Sequence, residues 1–514
     1  MGFLEPVQTL DDDATRRAIR AYQADGIASQ VRDALGNGTL LVGYALLLGA
    51  SHTAVGVLAA LGPATQVLQL PTVTLVERWR RRKAVCWWAA LAGRTAWLAV
   101  LAIPVLGPTL RMPALFATVL VTAAFATISA AAWNAWIPDV LPAATRNEIV
   151  ARRLAGATAV GAVLMLLAGA GVDRLQATVP DPTVAYRVVL AIGALAGLIG
   201  LLPLARIPEP PMPVGPVRPW RDVLAAPLQN RTFRSLVAFL AAWTFAVNLS
   251  APFFSVYLLQ RVGLSIGFVL ALTVLSQLTS AFVMRAWGRV ADRFSALTAL
   301  RVSVIGFLLS VAGWPIAGRL APAMLVLVAL AIIHMLAGLA SAGVTLCTTT
   351  VAMEIAPPTE VGGYLAANGI VSGIAAALAP ISAGLVADWL EPQRLSVTIR
   401  WSAPARGIAL APLDLQGLDF LFVATVLLGL YAVHRLLAVP EQRPADRAVV
   451  AALADAVREQ MALPLRPMTT VPALRDLVHL PLGLLGRLVP ERRGRQRPPL
   501  DRRSRGGPVP SSAD

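Results

Sequence analysis

A set of polar side chains interrupts otherwise apolar runs: Asn37, Gln66, Gln69, Trp133, Asn134, Asn248, Gln277, His334 and Asn368. Amides, an indole N–H and an imidazole can replace a solute's hydration shell with fixed donors and acceptors, so their chemistry is reversible binding rather than bond making. Each also serves well as an interhelical hydrogen bond, the commoner use of such a residue. As a set they suit a neutral or amphipathic solute. His334 has the chemistry to relay a proton, although a lone histidine is more often structural. No Asp or Glu stands out inside an apolar run, so proton or other ion coupling is left open. Arg94 lies mid-run without an acid near it in sequence, at a cost of about 2.5–3.5 kcal/mol unless it is paired or hydrated. No Ser/His/Asp set, metal-ligand spacing or phosphate loop accompanies these residues, so neither an enzyme, a cofactor nor a metal site is expected. Cys86 and Cys347, far apart, indicate neither a disulfide framework nor zinc.

The elements that must hold these groups are membrane helices. Hydrophobic residues make up 57% of the 514, charged ones only 14%, and the mean hydropathy is +0.67, far from the balance of a soluble domain. Apolar segments of bilayer-spanning length recur near 36–51, 53–76, 84–106, 112–137, 150–172, 184–205, 235–258, 264–284, 298–317, 321–347, 363–386 and 417–438. The expected fold is therefore an all-α integral membrane protein of twelve crossings. A cytoplasmic segment (1–33) precedes a first six-helix bundle (34–205), and a Pro-rich basic linker (206–233) leads to a second bundle (234–439). A basic tail (440–514) follows, with helical apolar spacing at 444–462 and 471–489 suited to the inner membrane surface. The net charge of +16 sits in short connectors and the tail rather than on an aromatic-interleaved face. That distribution fits the positive-inside rule, with both termini cytoplasmic and a bilayer rather than nucleic acid as partner. A bacterial inner (plasma) membrane is the expected location.

Charged connectors reveal an internal repeat. Glu77 and Arg78 stand about 215 residues before Asp292 and Arg293, and Asp139 with Pro142 keeps the same offset to Glu354 with Pro357. The stretch Gly288 to Arg293 resembles the G-x-x-x-D-R loop of the major facilitator superfamily, here Gly288, Asp292 and Arg293. Glu77, Arg78, Arg81 and Arg82 resemble its charged part, with Val73 at the glycine position. The resemblance covers residues 35–438 and implies two pseudo-symmetric six-helix bundles that rock about a central site, moving a small solute across the membrane by alternating access. The superfamily's proline-glycine antiporter motif is not evident between Ala155 and Gly171.

An acid at the end of one helix can face the positive N-terminus of a helix in the other bundle, a contact worth about 0.3–1 kcal/mol. Asp292 would face the helix starting near Thr145, and Glu77 the one starting near Thr359, where Gly362 and Gly363 allow close approach. Such contacts would latch the cytoplasmic end shut, with Asp139, Arg146, Glu148, Arg152, Arg153 and Glu354 as surrounding scaffolding. The competing function is a non-transporting membrane scaffold or assembly factor that keeps this fold and works through its basic tail.

Overall fold

The computed structural model describes residues 11–212, 229–320, 322–355, 361–402, 407–439 and 449–462, together with 5, 7 and 227. Among the described residues, eleven helices are long and apolar enough to cross a membrane. They are α3 (His52–Trp79), α4 (Arg82–Val105), α5 (Pro108–Val140), α6 (Arg146–Thr178), α7 (Pro182–Arg206), α8 (Arg231–Arg261), α9 (Ile266–Arg293), α10 (Ala296–Ala317), α11 (Ala323–Ile355), α12 (Val361–Leu390) and α13 (Asp419–Leu437). The run expected as a first crossing is not among them and is divided between α1 (Asp12–Gly36) and α2 (Thr39–Leu47). Between them Asn37 is extended and Gly38 takes φ +61°, a backbone that glycine adopts freely.

Sequence and structure differ most at this first crossing. The apolar run starts near 36, but the helix starts at Asp12, capped by the Asp11 carboxylate, which accepts from Ala14 N–H. Residues 12–33, expected as a cytoplasmic segment, pack along α6 and α7 and bury Ala18, Ala21, Tyr22 and Asp25. Hydropathy misses this piece because only one side of it is apolar and packs on protein, while Arg16, Arg17 and Arg20 stay exposed.

Two ends can be told apart. One carries the turns 48–51, 106–107, 179–181 and 262–265 and a β-hairpin after α12; here it is called the hairpin end. The hairpin is β1 (Arg394–Ser402) paired antiparallel with β2 (Gly407–Gln416), joined also by a two-pronged Arg394–Asp414 ion pair at 2.8 Å. The other, linker end carries the connectors 80–81, 141–145 and 294–295 and the described residues 207–212. Helix α14 (Val449–Ala462) lies here against α9 and α10, with Ala452 and Leu453 buried and Arg289 donating to the Ala456 carbonyl at 2.7 Å. Segment 444–462 was expected on the membrane surface, and its described helix covers protein instead. Segment 471–489 lies outside the described residues.

The packing between bundles is uneven. At the hairpin end the apolar core runs across both bundles: Val42 and Val55 join Phe253, Val256, Val269 and Ala383, and Ile266, Leu270 and Val274 of α9 enter the core of α2, α6 and α7. At the linker end each core stays within one bundle, around Trp136 and Ile137 in the first and around Trp287 and Phe239 in the second. Close approach at the hairpin end depends on α3 and α12: a Cβ on Gly56 would lie 2.1 Å from the Pro380 carbonyl oxygen, and one on Gly384 2.6 Å from that of His52.

Candidate functional site

Where the bundles separate, a cavity of about 730 Å³ opens, within the size range of small-molecule sites. Asn37, Gln66, Trp133 and Asn248 line it, four of the residues expected from sequence. Asn37 enters at the break between α1 and α2. Gln66 accepts a hydrogen bond from Gln69 one turn on, and Asn248 donates to the Thr244 carbonyl at 2.8 Å. Leu41, Val42, Leu58 and Val119 supply apolar wall, and Thr39, Thr65, Thr127 and Ser129 supply hydroxyls.

The other five expected residues do not line the cavity; Gln69 reaches it only through its bond to Gln66, and four stand elsewhere. Asn134 is exposed on the opposite side of α5 from Ala132, and Gln277 is exposed with its amide 3.9 Å from the Met165 sulfur. His334 gives its Nδ1 to the Leu330 carbonyl contact at 2.8 Å and rests against Trp314, a packing role within α11. Asn368 accepts from Ser372 one turn along α12. Depth along a crossing is readable in sequence, but which side of the helix faces the cavity is set by neighbours.

The strongest polar feature is one that the apolar runs conceal. Asp25, only 3% exposed, projects from α1 into the cavity wall and accepts from Arg153 Nη2 at 2.8 Å, with Arg94 Nη2 at 3.8 Å. Arg94, 6% exposed, also donates to the Gly197 carbonyl at 2.6 Å. The Arg153 guanidinium lies over the rings of Tyr22 and Trp133, at 4.3 and 4.7 Å from their centroids, and these two rings stack on each other. The missing acid partner of Arg94 is thus about 69 residues earlier in the chain, in the stretch that hydropathy assigns to solvent. A signal was present: Tyr22, Asp25, Ser29 and Arg32 recur at helical spacing, one face of a single helix.

The hairpin end is fastened across bundles by two carboxylates. Asp388 of α12 accepts from the backbone N–H groups of His52 and Thr53 at 2.9 Å each, so the N-terminus of α3 is capped by the other bundle, and His52 Nδ1 lies 3.1 Å from the same carboxylate. Asp173 of α6 accepts from Ser265 Oγ at 2.8 Å and from Gly267 N–H at 3.1 Å at the start of α9. Thr39 and Ser255 add a hydroxyl pair at 3.0 Å.

At the linker end the expected latch residues stand apart. Asp292, Arg293, Arg78 and Glu354 are exposed and Glu77 is half-buried; among the described residues neither Asp292 nor Glu77 has a hydrogen bond or ion pair. Gly288 faces open space, and Gly362 and Gly363 sit on the first turn of α12. Arg146 donates to the Pro138 carbonyl at 2.7 Å. Asp139 pairs with Arg82 Nη1 at 2.5 Å. Arg82, buried to 1% exposure, holds more than this acid: its backbone N–H and Nε reach Glu209 at 2.6 and 3.5 Å, and Nη2 donates to the Pro210 carbonyl at 2.8 Å. Glu209 comes from the Pro-rich connector, whose start is therefore folded under the first bundle rather than extended.

A multi-pass helical protein with two bundles around one cavity, closed at one end by small residues and trans-capped helices, has the build of a secondary transporter. The chain belongs to the Major Facilitator Superfamily, whose family model matches residues 29–380. No curated protein is matched by its sequence. Among solved structures it is similar to the nucleoside transporter NupG (D323A mutant) at 14% identity and TM-score 0.61, covering 82% of this chain and 100% of that one. It is also similar to a D-xylose-proton symporter at 15% identity, TM-score 0.59, covering 83% and 97%. A third is the partially occluded inward open form of the xylose transporter XylE from E. coli, at 11% identity, TM-score 0.57, covering 85% and 100%. At these identities the likeness is one of fold. The chain is a membrane-embedded secondary transporter of that superfamily, not an enzyme.

Proposed function

We propose that the protein moves a small organic solute across a bacterial inner membrane by alternating access, and that this structure is the state open at the linker end. The observation that carries the reading is the unequal closure of the two ends around one cavity: the apolar core crosses between bundles at the hairpin end and stops within each bundle at the linker end. The linker end is assigned to the cytoplasm because Arg78, Arg80, Arg81, Arg82 and Lys83, with Arg146, Arg152, Arg153, Arg289 and Arg293, gather there. Both termini then face the cytoplasm. In the opposite state Asp292 and Glu77, exposed to water here, meet the N-termini of α6 and α12 and hold the cytoplasmic end shut. Energy coupling to protons, frequent among transporters of this fold, is compatible with the cavity carboxylate Asp25.

Two measurements test the reading. Purified protein in proteoliposomes preloaded with a mixed solute panel should show counterflow of at least one labelled member over empty liposomes; absence of counterflow across the panel, with correctly folded protein, counts against transport. For the latch, Asp292→Asn is expected to lower the population closed at the linker end by about two- to fivefold, from the loss of a charge-to-dipole contact of about 0.3–1 kcal/mol. Glu77→Gln should have a smaller effect because Arg80 and Val73 stand where the first copy of the motif lacks glycine. Spin-label distances across the linker end read both, and a larger effect from Glu77→Gln would reverse the assignment.

A further inference from the structure

We infer that the cavity selects a singly charged organic anion, an oxyanion head carried on an apolar body; this rests on the transport reading above and names its substrate class. Five charged residues line the cavity: Asp25, Arg32, Asp33, Arg94 and Arg153. Arg32 and Asp33 satisfy each other, Nε and Nη2 of the arginine meeting the carboxylate at 2.9 and 2.7 Å. What is left is two guanidiniums sharing the single carboxylate of Asp25. One positive charge is uncompensated in a buried site, a costly arrangement that one further negative charge would close.

The hydrogen bonding shows the same deficit. Arginine presents five N–H donors and no acceptor. Among the described residues, buried Arg94 Nε and Arg153 Nη1 have no partner, nor has the indole Nε1 of Trp97, 5% exposed and also on the cavity wall. Unmet donors of a buried cation are satisfied by an acceptor, and an oxyanion accepts from two guanidiniums at once. A neutral solute would supply acceptors but leave the charge; a dianion would overshoot it. The remainder of the wall, Leu41, Val42, Leu58, Val119, Trp97 and Trp133, suits an aliphatic or aromatic body. The solute that sequence alone suggests, neutral or amphipathic, is narrowed by Asp25 and its two arginines to an amphipathic anion.

The test is titration of the full-length protein in non-ionic detergent with benzoate, 3-phenylpropionate and octanoate, each beside its own amide, and with phenylsuccinate as a dianion. At least one acid is expected to bind about tenfold or more tightly than its amide, since hydrogen bonds to charged groups carry that discrimination. Arg94→Gln and Arg153→Gln should each remove it, whereas Arg153→Lys should retain part. Asp25→Asn leaves two uncompensated arginines, so it should bind phenylsuccinate more tightly than wild type does. A merely structural Asp25 would not produce that gain. Equal binding of acids and amides, no binding of any acid, or an unchanged preference in Asp25→Asn overturns the inference. Counterflow of the same compounds separates the two readings: acids that bind without moving would sink transport and leave the anion site, while counterflow of an amide in place of its acid would do the reverse.

Discussion

Replacing Gly56 with valine is expected to drive the protein out of the state seen here, toward one open at the hairpin end. Already the Cβ of alanine would fall 2.1 Å from the Pro380 carbonyl oxygen and 2.9 Å from its carbon, and the neighbouring atom of Gly384 is 3.3 Å away. These are backbone atoms, so no rotamer change relieves the overlap, and α3 must move off α12. Overpacking of this kind costs about 1–3 kcal/mol. Because the contact joins the two bundles and exists only when the hairpin end is closed, that cost falls on the conformational equilibrium, a shift of about 5- to 150-fold. Gly338→Ala is the comparison: its Cβ would lie 2.2 Å from the Ser276 carbonyl oxygen, but both residues belong to the second bundle, so stability should fall with little shift in the equilibrium. A cysteine placed at Val256, fully buried in the core that crosses between bundles, reports the difference. Its alkylation by an impermeant maleimide should be fast with Gly56→Val and slow with Gly338→Ala. Equal rates would mean that α3 and α12 do not form the gate.

The second large effect is on stability. Arg82→Ala leaves Glu209, 1% exposed, without its guanidinium and Asp139 without its 2.5 Å partner, and it frees the Ala135 and Pro210 carbonyls. Breaking a buried pair in this way costs about 3–5 kcal/mol, enough to lower the melting temperature in detergent by several degrees. Arg82→Lys should recover only part, because one ammonium cannot reach a carboxylate on each side and a carbonyl as well. Glu209→Gln tests the same cluster through pH. Burial pushes the Glu209 carboxyl above the ordinary glutamate range, against the pull of the backbone N–H groups of Arg82 and Lys83 and of the Arg82 guanidinium. The folded state therefore binds the proton more readily than the unfolded chain does. As pH falls from about 7 toward the unfolded value near 4.3, wild type should gain stability relative to Glu209→Gln. A relative loss over that interval would place the carboxyl's pKa on the other side.

Most of the fold was legible because lipid selects side chains one at a time. The crossings expected at 184–205 and 298–317 are helices Pro182–Arg206 and Ala296–Ala317. Hydropathy fails where a polar helix packs on protein: α1 keeps Arg16, Arg20 and Asp33 on its exposed side, while Ala18, Ala21, Tyr22 and Asp25 are buried and the helix packs on α6 and α7. The hairpin was readable in the alternation of Leu395, Val397, Ile399 and Trp401, but a search for membrane spans reads only long apolar runs.

The site was legible by kind more than by position. Arg94 announced its own cost, which pairing or hydration would lower, and Asp25 lies 3.8 Å from it. Asp25 could not be chosen because partners far apart in the chain meet only through the packing of α1 against α6 and α7. Asn134, Gln277 and Asn368 show the converse: polarity at membrane depth does not tell which way a helix face turns. Asp139, read from sequence only as scaffolding, is the partner of Arg82; Glu209, in a stretch that reads as plain linker, went unnoticed.

Alternating access makes the two ends opposite in state, and paired distance measurements on one protein test that most directly. One spin-label pair would sit at Glu148 and Arg293 on the linker end and another at Thr178 and Gln393 on the hairpin end, all exposed positions. Two populations are expected in lipid, one with a long linker-end and a short hairpin-end distance and one with the reverse, and Gly56→Val should enrich the second in both pairs together. A hairpin end that opens under Gly56→Val while the linker-end distance stays unchanged would contradict alternating access and leave a fold that does not rock.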